Sequence, residues 1–125
     1  MDDVTQDKRW QQIEGALACI AGIGFYLAVI AIFPWWAAIV LFFAPDLSFL
    51  GYLFGPRIGA VCYNTVHIYG FGAVLALAGY VMGWPVVFAL GLLWAAHCGF
   101  DRMLGYGLKR STAFTSTHMG EIGKK

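Results

Sequence analysis

The sequence predicts an all-α fold: an integral membrane bundle of four transmembrane helices. Three observations carry that prediction. The 125 residues are 60% hydrophobic and 12% charged, against about 25% charged in an ordinary soluble domain. A domain this small leaves much of its surface wet, so in water that apolar area would have nowhere to hide. The mean hydropathy of +0.70 reflects long apolar runs separated by short turns rich in Pro, Gly and Trp. Finally, all eight lysines and arginines fall where four spans would gather them on one side. One domain, 1–125, is expected.

Helix one is placed at about residues 9–33. A polar, acidic start precedes an apolar run of 18 residues, Ala16 to Phe33. That is close to the minimum for a hydrocarbon core of about 30 Å at about 1.5 Å per residue. The run is longer than a signal-peptide core and lacks a small-residue cleavage pattern, so it reads as a retained helix. Pro34-Trp35-Trp36 then marks a turn at the interface, where the apolar indole ring and its polar N–H both find partners.

Helix two, about 35–54, is expected to be broken at Pro45-Asp46, because proline removes a helical donor and clashes with the preceding turn. Asp46 arrives about ten residues after the turn, roughly 15 Å of rise. Two depths fit it: mid-membrane, or near the opposite interface if the hairpin turns earlier. Gly55-Pro56-Arg57 is a turn, and helix three follows at about 58–82 with Asn64, Thr65 and His67 in its first half. Gly83-Trp84-Pro85 is a tight turn. Helix four, about 85–104, starts on a proline, which a first helical turn tolerates. Residues 105–125 form a polar tail.

Four spans put Lys8, Arg9, Arg57, Arg102, Lys109, Arg110, Lys124 and Lys125 on one side, and the Pro34 and Gly83 turns carry no basic residue. The positive-inside rule makes that side cytoplasmic, with both termini there. The net charge of +1 offers no basic stripe for phosphate backbones, which argues against a nucleic-acid partner. Cys19, Cys62 and Cys98 are odd in number and form no CxxC pair, so a disulfide framework is not expected. The glycines serve close helix packing; no Lys-Ser/Thr follows them to make a phosphate loop.

Ionisable residues inside a span cost about 2.5–3.5 kcal/mol each on insertion scales and usually face the bundle interior. Asn64 and His67 are three apart and share a helical face; His97 and Asp101 are four apart and share another, with Trp94. His67 lies about 15 Å and His97 about 10 Å from the cytoplasmic helix ends. Helices three and four are antiparallel neighbours because their connection is short. The two faces and Asp46 are therefore expected to form one site of Asp46, His67, His97 and Asp101. Two imidazoles and two carboxylates suit a divalent metal (zinc, iron or manganese). The same four residues without metal make an acid–base set, and two histidines are also the axial pair of a b-type haem. Asn64 would orient His67. Arg102, Tyr106 and Lys109 would meet a polar head group at the mouth, and His118 would fold back over it. The plainer alternatives are an Asp101–Arg102 ion pair at a helix end, a His97–Asp101 bond and a solvated tail.

Several strings are distinctive: Ala44-Pro45-Asp46-Leu47-Ser48 with Gly51-Tyr52 and Gly55-Pro56-Arg57; Tyr63-Asn64 with His67; His97 through Asp101-Arg102; Gly105 to Lys109; and Phe114 with Thr117-His118-Met119-Gly120. Over about residues 44–123 the chain resembles a small bacterial membrane family, domain of unknown function 4260. The resemblance implies a multi-pass protein of the bacterial inner membrane and makes Asp46, Asn64, His67, His97, Asp101, Arg102, Tyr106 and His118 part of the family's motif. It brings no activity with it. The leading expectation is a cytoplasm-facing intramembrane pocket, a metal-dependent or acid–base enzyme acting on a lipophilic substrate. The alternative is a non-catalytic subunit or assembly factor of a larger membrane complex. Membrane lipids are the expected partners, together with a second copy or other membrane proteins.

Overall fold

A computed structural model describes residues 2–123 of the chain; Lys124 and Lys125, counted above among the basic residues, lie outside them. The described chain is built of five α-helices and one 3-10 segment, followed by three short strands. Three helical stretches are long and apolar enough to cross a membrane, and a bent pair makes a fourth if it is one span.

Helix α1 covers Asp3–Val29. Asp2 caps it, its carboxylate accepting the Thr5 N–H at 2.7 Å, which satisfies one donor that the first turn leaves free. The helix stops four residues before the expected end at Phe33. Residues 30–34 turn instead, and the Phe33 N–H donates to the Tyr26 hydroxyl. Pro34 disfavours the helical conformation for the residue before it, which explains the early end.

Helix α2, Trp35–Phe42, is only eight residues long. The chain then continues as a 3-10 segment, Ala44–Phe54. The break at Pro45 follows from its missing N–H and its clash with the carbonyl four residues back. An 11-residue 3-10 run is unusual, because that helix rarely exceeds one turn.

The third expected helix is two. Helix α3 covers Pro56–His67 and α4 covers Tyr69–Met82, bent by 48° at Ile68, whose backbone is extended. Helix α5 supplies the reason. Its Trp94 indole donates to the Val66 carbonyl at 2.7 Å, Arg102 donates to the His67 carbonyl at 3.0 Å, and the Cys98 thiol lies 3.6 Å from the Val66 carbonyl. Side chains that take over helical carbonyls are a recognised cause of sharp kinks.

Gly83, at φ 70°, closes α4 in the left-handed conformation, and the Trp84 N–H returns to the Gly79 carbonyl, a Schellman-type stop. Helix α5, Pro85–Met103, runs back through the centre and carries more buried residues than any other element. It packs against both α1 and α4. Gly15 and Gly99 allow the α1 approach: a Cβ at Gly99 would come within 2.5 Å of the Gly15 carbonyl oxygen. Gln12 donates to the Met103 carbonyl, so the start of α1 sits beside the end of α5.

The tail is not a free polar segment. Strands β1 (Lys109–Arg110), β2 (Ala113–Thr117) and β3 (Gly120–Glu121) form an antiparallel sheet in sequence order, which docks on α3. Asn64 holds it from both sides, accepting the Lys109 N–H at 2.6 Å and donating to the Lys109 carbonyl at 2.7 Å.

The fully buried apolar core is small, centred on Tyr26, Ala89 and Leu93. Large apolar side chains such as Leu53 (80%) and Trp35 (77%) are open to the surroundings. Only 6% of the apolar window in Trp35–Phe54 is buried. In water each such side chain would forgo roughly 1.5–3 kcal/mol of burial, so this surface fits a hydrocarbon environment.

Candidate functional site

Four side chains converge near one end of the bundle. His97 and Asp101 occupy the last two turns of α5, His67 is the last residue of α3, and Asp46 begins the 3-10 segment. The kink at Ile68 ends α3 on His67, directly opposite His97. The Pro45 break puts Asp46 into the same space. His67 and His97 are fully buried and Asp101 nearly so, while the Asp46 side chain keeps 34% exposure.

The four donor atoms lie within 4.8 Å of one another. Asp46 Oδ1 is 3.2 Å from His67 Nε2 and 3.1 Å from His97 Nε2. Asp101 Oδ2 is 3.4 Å from each of the same two nitrogens. The two nitrogens are themselves 3.3 Å apart.

Tyr63 organises this group. Its hydroxyl donates to Asp101 Oδ2 at 3.3 Å, its ring stacks on the His67 imidazole at 3.7 Å between centroids, and its carbonyl oxygen lies 2.8 Å from His67 Nδ1. A carbonyl only accepts, so Nδ1 carries a proton and donates it there. In neutral His67 the Nε2 lone pair therefore points into the cluster. On the other flank, the Phe42 and Phe43 rings meet the His97 ring edge to face.

A cavity of about 270 Å³ opens beside the cluster, with Asp46, Asp101, Tyr63, Lys109 and Phe114 among its walls. Lys109 is only 5% exposed, and its ammonium sits 3.8 Å from the Phe114 ring centre and 5.1 Å from that of Tyr63. Its pKa is lowered, first by burial, while the Asp101 and Asp46 carboxylates push the other way.

The remaining residues singled out in the sequence are placed differently from expectation. Asn64 gives its side-chain hydrogen bonds to strand β1, and the Tyr63 carbonyl holds the His67 imidazole. Arg102, expected at the mouth, is 3% exposed. It donates to the His67 and Tyr106 carbonyls, because the α3 break leaves a carbonyl that needs a donor. Tyr106 remains exposed and lines the cavity. His118 lies outside the cluster, with Lys8, Gln11 and Arg110 around a separate cavity, and its Nδ1 accepts the Leu108 N–H at 2.8 Å. Another cavity, about 430 Å³, is an apolar cleft between α1 and α2.

Haem between the two histidines does not fit. Two axial nitrogens at about 2.0 Å from one iron stand about 4 Å apart across a porphyrin. These are 3.3 Å apart, in contact with each other, and both carboxylates lie within 3.4 Å of them.

Sequence reasoning passed over Tyr63 as a site residue and treated Lys109 only as a lipid contact. Tyr63 was within reach, since it lies four residues before His67 on the same helical face. The approach of Lys109 depends on the sheet, which gives no apolar periodicity to read.

No curated protein and no solved structure matches the chain. A family model does match, over residues 8–122, wider than the 44–123 over which the resemblance was visible. The chain thus belongs to the family described as Domain of unknown function (DUF4260).

Proposed function

We propose that this protein is a multi-pass membrane protein with a divalent-metal centre formed by Asp46, His67, His97 and Asp101, which acts on a substrate entering the adjacent cavity. The observation that carries this reading is the set of distances among the four donor atoms. A tetrahedral ion with bonds of about 2.0 Å holds its ligands about 3.3 Å apart. Five of the six separations here run from 3.1 to 3.4 Å; the sixth, between the two carboxylates, falls within the 4.8 Å that spans the group, and closes as the more exposed Asp46 moves in on the ion. Three further features support it. The inward lone pair of His67 meets two carboxylate oxygens and another imidazole nitrogen, contacts that a cation in their midst satisfies together. His67 passes its second N–H to a carbonyl, and Asp101 accepts from Tyr63. Outer partners of this kind orient metal ligands. Zinc fits the donor set best, and iron and manganese also accept it.

The site is fitted for more than holding structure. Asp46 sits on the irregular 3-10 segment and is the most exposed of the four, so its withdrawal opens a position toward the cavity. A metal there supplies Lewis-acid polarisation of a carbonyl or phosphoryl oxygen. The apolar surroundings favour a lipophilic substrate, and the basic end of the bundle, which holds the site, faces the cytoplasm by the positive-inside rule. The bacterial inner membrane is the compartment that the family resemblance implies.

One observation favours a second reading. His97 Nδ1 is buried and has no partner among the described residues, whereas a metal-bound histidine usually passes that N–H to an acceptor. A metal-free acid–base cluster, with a proton shared among His97, Asp46 and Asp101, would use the same residues.

Elemental analysis of detergent-purified protein decides between them, wild type beside the double variant His67→Ala/His97→Ala. Roughly one metal per chain in the wild type, lost in the variant, is the expected result for a coupled site. A folded wild type that takes up no zinc, iron or manganese on titration would rule out the metal centre and leave the acid–base cluster.

A further inference from the structure

We propose that the cavity beside this centre is an oxyanion site, which holds a phosphate group between the metal and the Lys109 ammonium. The inference rests on the metal reading above and adds the class of ligand. Lys109 is nine-tenths buried on a strand at the cavity wall, yet its ammonium makes no ion pair and no hydrogen bond among the described residues; its neighbours are two ring faces. Aromatic faces attract a cation but accept none of its three N–H donors in the way an oxygen does. The side chain is buried as a whole, and its unpaired ammonium is left to donate toward the cavity that it lines.

The charges point the same way. Asp46 and Asp101 offset a divalent ion. Arg102, also buried, spends its donors on carbonyls rather than on a carboxylate. With the metal in place the neighbourhood therefore carries two uncompensated positive charges, from Lys109 and Arg102. A phosphate monoester carries about −1.5 to −2 at pH 7, which matches those two charges, and it offers oxygens to a metal and a lysine together.

The cavity, about 270 Å³, is several times the volume share of one water, about 30 Å³. Phosphate therefore fits with room for part of an ester chain, against the apolar walls of Phe49, Phe114 and Ile122. Lysine binds phosphate as a point charge and so places few demands on geometry.

The test titrates zinc-loaded protein, in a detergent without phosphate, with inorganic phosphate and with a short-chain phosphatidic acid, read by calorimetry. Lys109→Met keeps the length of the side chain between the rings but removes the charge; Lys109→Arg restores the charge. Saturable binding is expected, weakened roughly tenfold or more in Lys109→Met, the usual worth of a charge-assisted hydrogen bond, and recovered in Lys109→Arg. Zinc content should stay equal in all three proteins. Equal affinity for the two probes would identify the free ion as ligand, and tighter binding of the lipid would identify a head group. Zinc bound but no phosphate binding, or binding indifferent to Lys109→Met, overturns the oxyanion site and leaves the metal centre standing. A folded wild type that takes up no zinc, iron or manganese overturns both.

Discussion

Tyr63 meets the cluster with three different parts of itself. Its hydroxyl reaches Asp101, its ring covers the His67 imidazole, and its carbonyl fixes the proton on His67 Nδ1. The last contact belongs to the backbone and survives any substitution; only the hydroxyl can be removed alone. Tyr63→Phe should therefore keep the fold and the orientation of His67 while leaving Asp101 without its donor. Loss of an outer-shell partner usually costs about ten- to a hundredfold in metal affinity. The 3.3 Å separation is long for a hydroxyl donor, so about tenfold is expected. Competition with a chromophoric chelator measures it, and unchanged affinity would remove Tyr63 from the outer shell. The spacing of the four central residues could be read directly, since three- and four-residue intervals on a helix fix a shared face. Arg102 and Asn64 could not, because their partners are backbone groups freed or presented by tertiary events.

At the scale of the element, two breaks in regular helix build the site. Pro45 ends α2 by removing a donor, a cause visible in the sequence. The kink at Ile68 has no proline, and Gly70 two residues on does not by itself mark it; Trp94, Cys98 and Arg102 arrive from another helix to take the carbonyls there, which local periodicity does not report. The tail sheet is likewise a tertiary product, since strands of two and five residues hold together only when docked. Asn64→Ala removes both clamps on Lys109 and should lower the local opening free energy of residues 109–121 by about 1–3 kcal/mol. Hydrogen exchange would register this as faster exchange confined to that segment.

The same sheet should respond to pH. Desolvation and then the nearby Arg102 charge hold the His118 pKa below its ordinary 6.5, with Arg110 adding to the effect. The unfolded tail thus binds a proton more readily than the folded one. The contribution of His118 to the sheet is complete above pH 6.5 and is lost as pH falls toward the lowered folded value. His118→Gln, which does not titrate, should flatten that part of the profile; a profile unchanged by the substitution would assign the pH response elsewhere.

At the scale of the whole molecule, three apolar helical stretches and one bent pair agree with four spans, with α5 at the centre. The start of α1 beside the end of α5 puts Lys8 next to Gly105 and on one cavity with Arg110, so the basic end is a property of the packed chain as well as of its sequence. Single cysteines in a background lacking Cys19, Cys62 and Cys98 test the orientation with an impermeant maleimide on intact cells. Ile32→Cys is expected to label from outside, whereas Arg57→Cys and Arg110→Cys should label only after permeabilisation. Labelling of Arg57→Cys from outside would overturn the four-span count, and full reversal would overturn the orientation.

What the amino-acid sequence determined by itself was the helical class, the apolar runs, the proline break and the group of His and Asp residues. Each of these follows from hydrophobicity, donor chemistry or fixed helical spacing, which act over a few residues. The tertiary structure alone decided that the four side chains converge within 4.8 Å of one another, that Tyr63 holds them, and that a folded tail brings Lys109 to the cavity. The long-range contacts behind them join residues 21 to 51 positions apart. Loop closure and side-chain packing set them, and neither leaves a periodic trace along the chain.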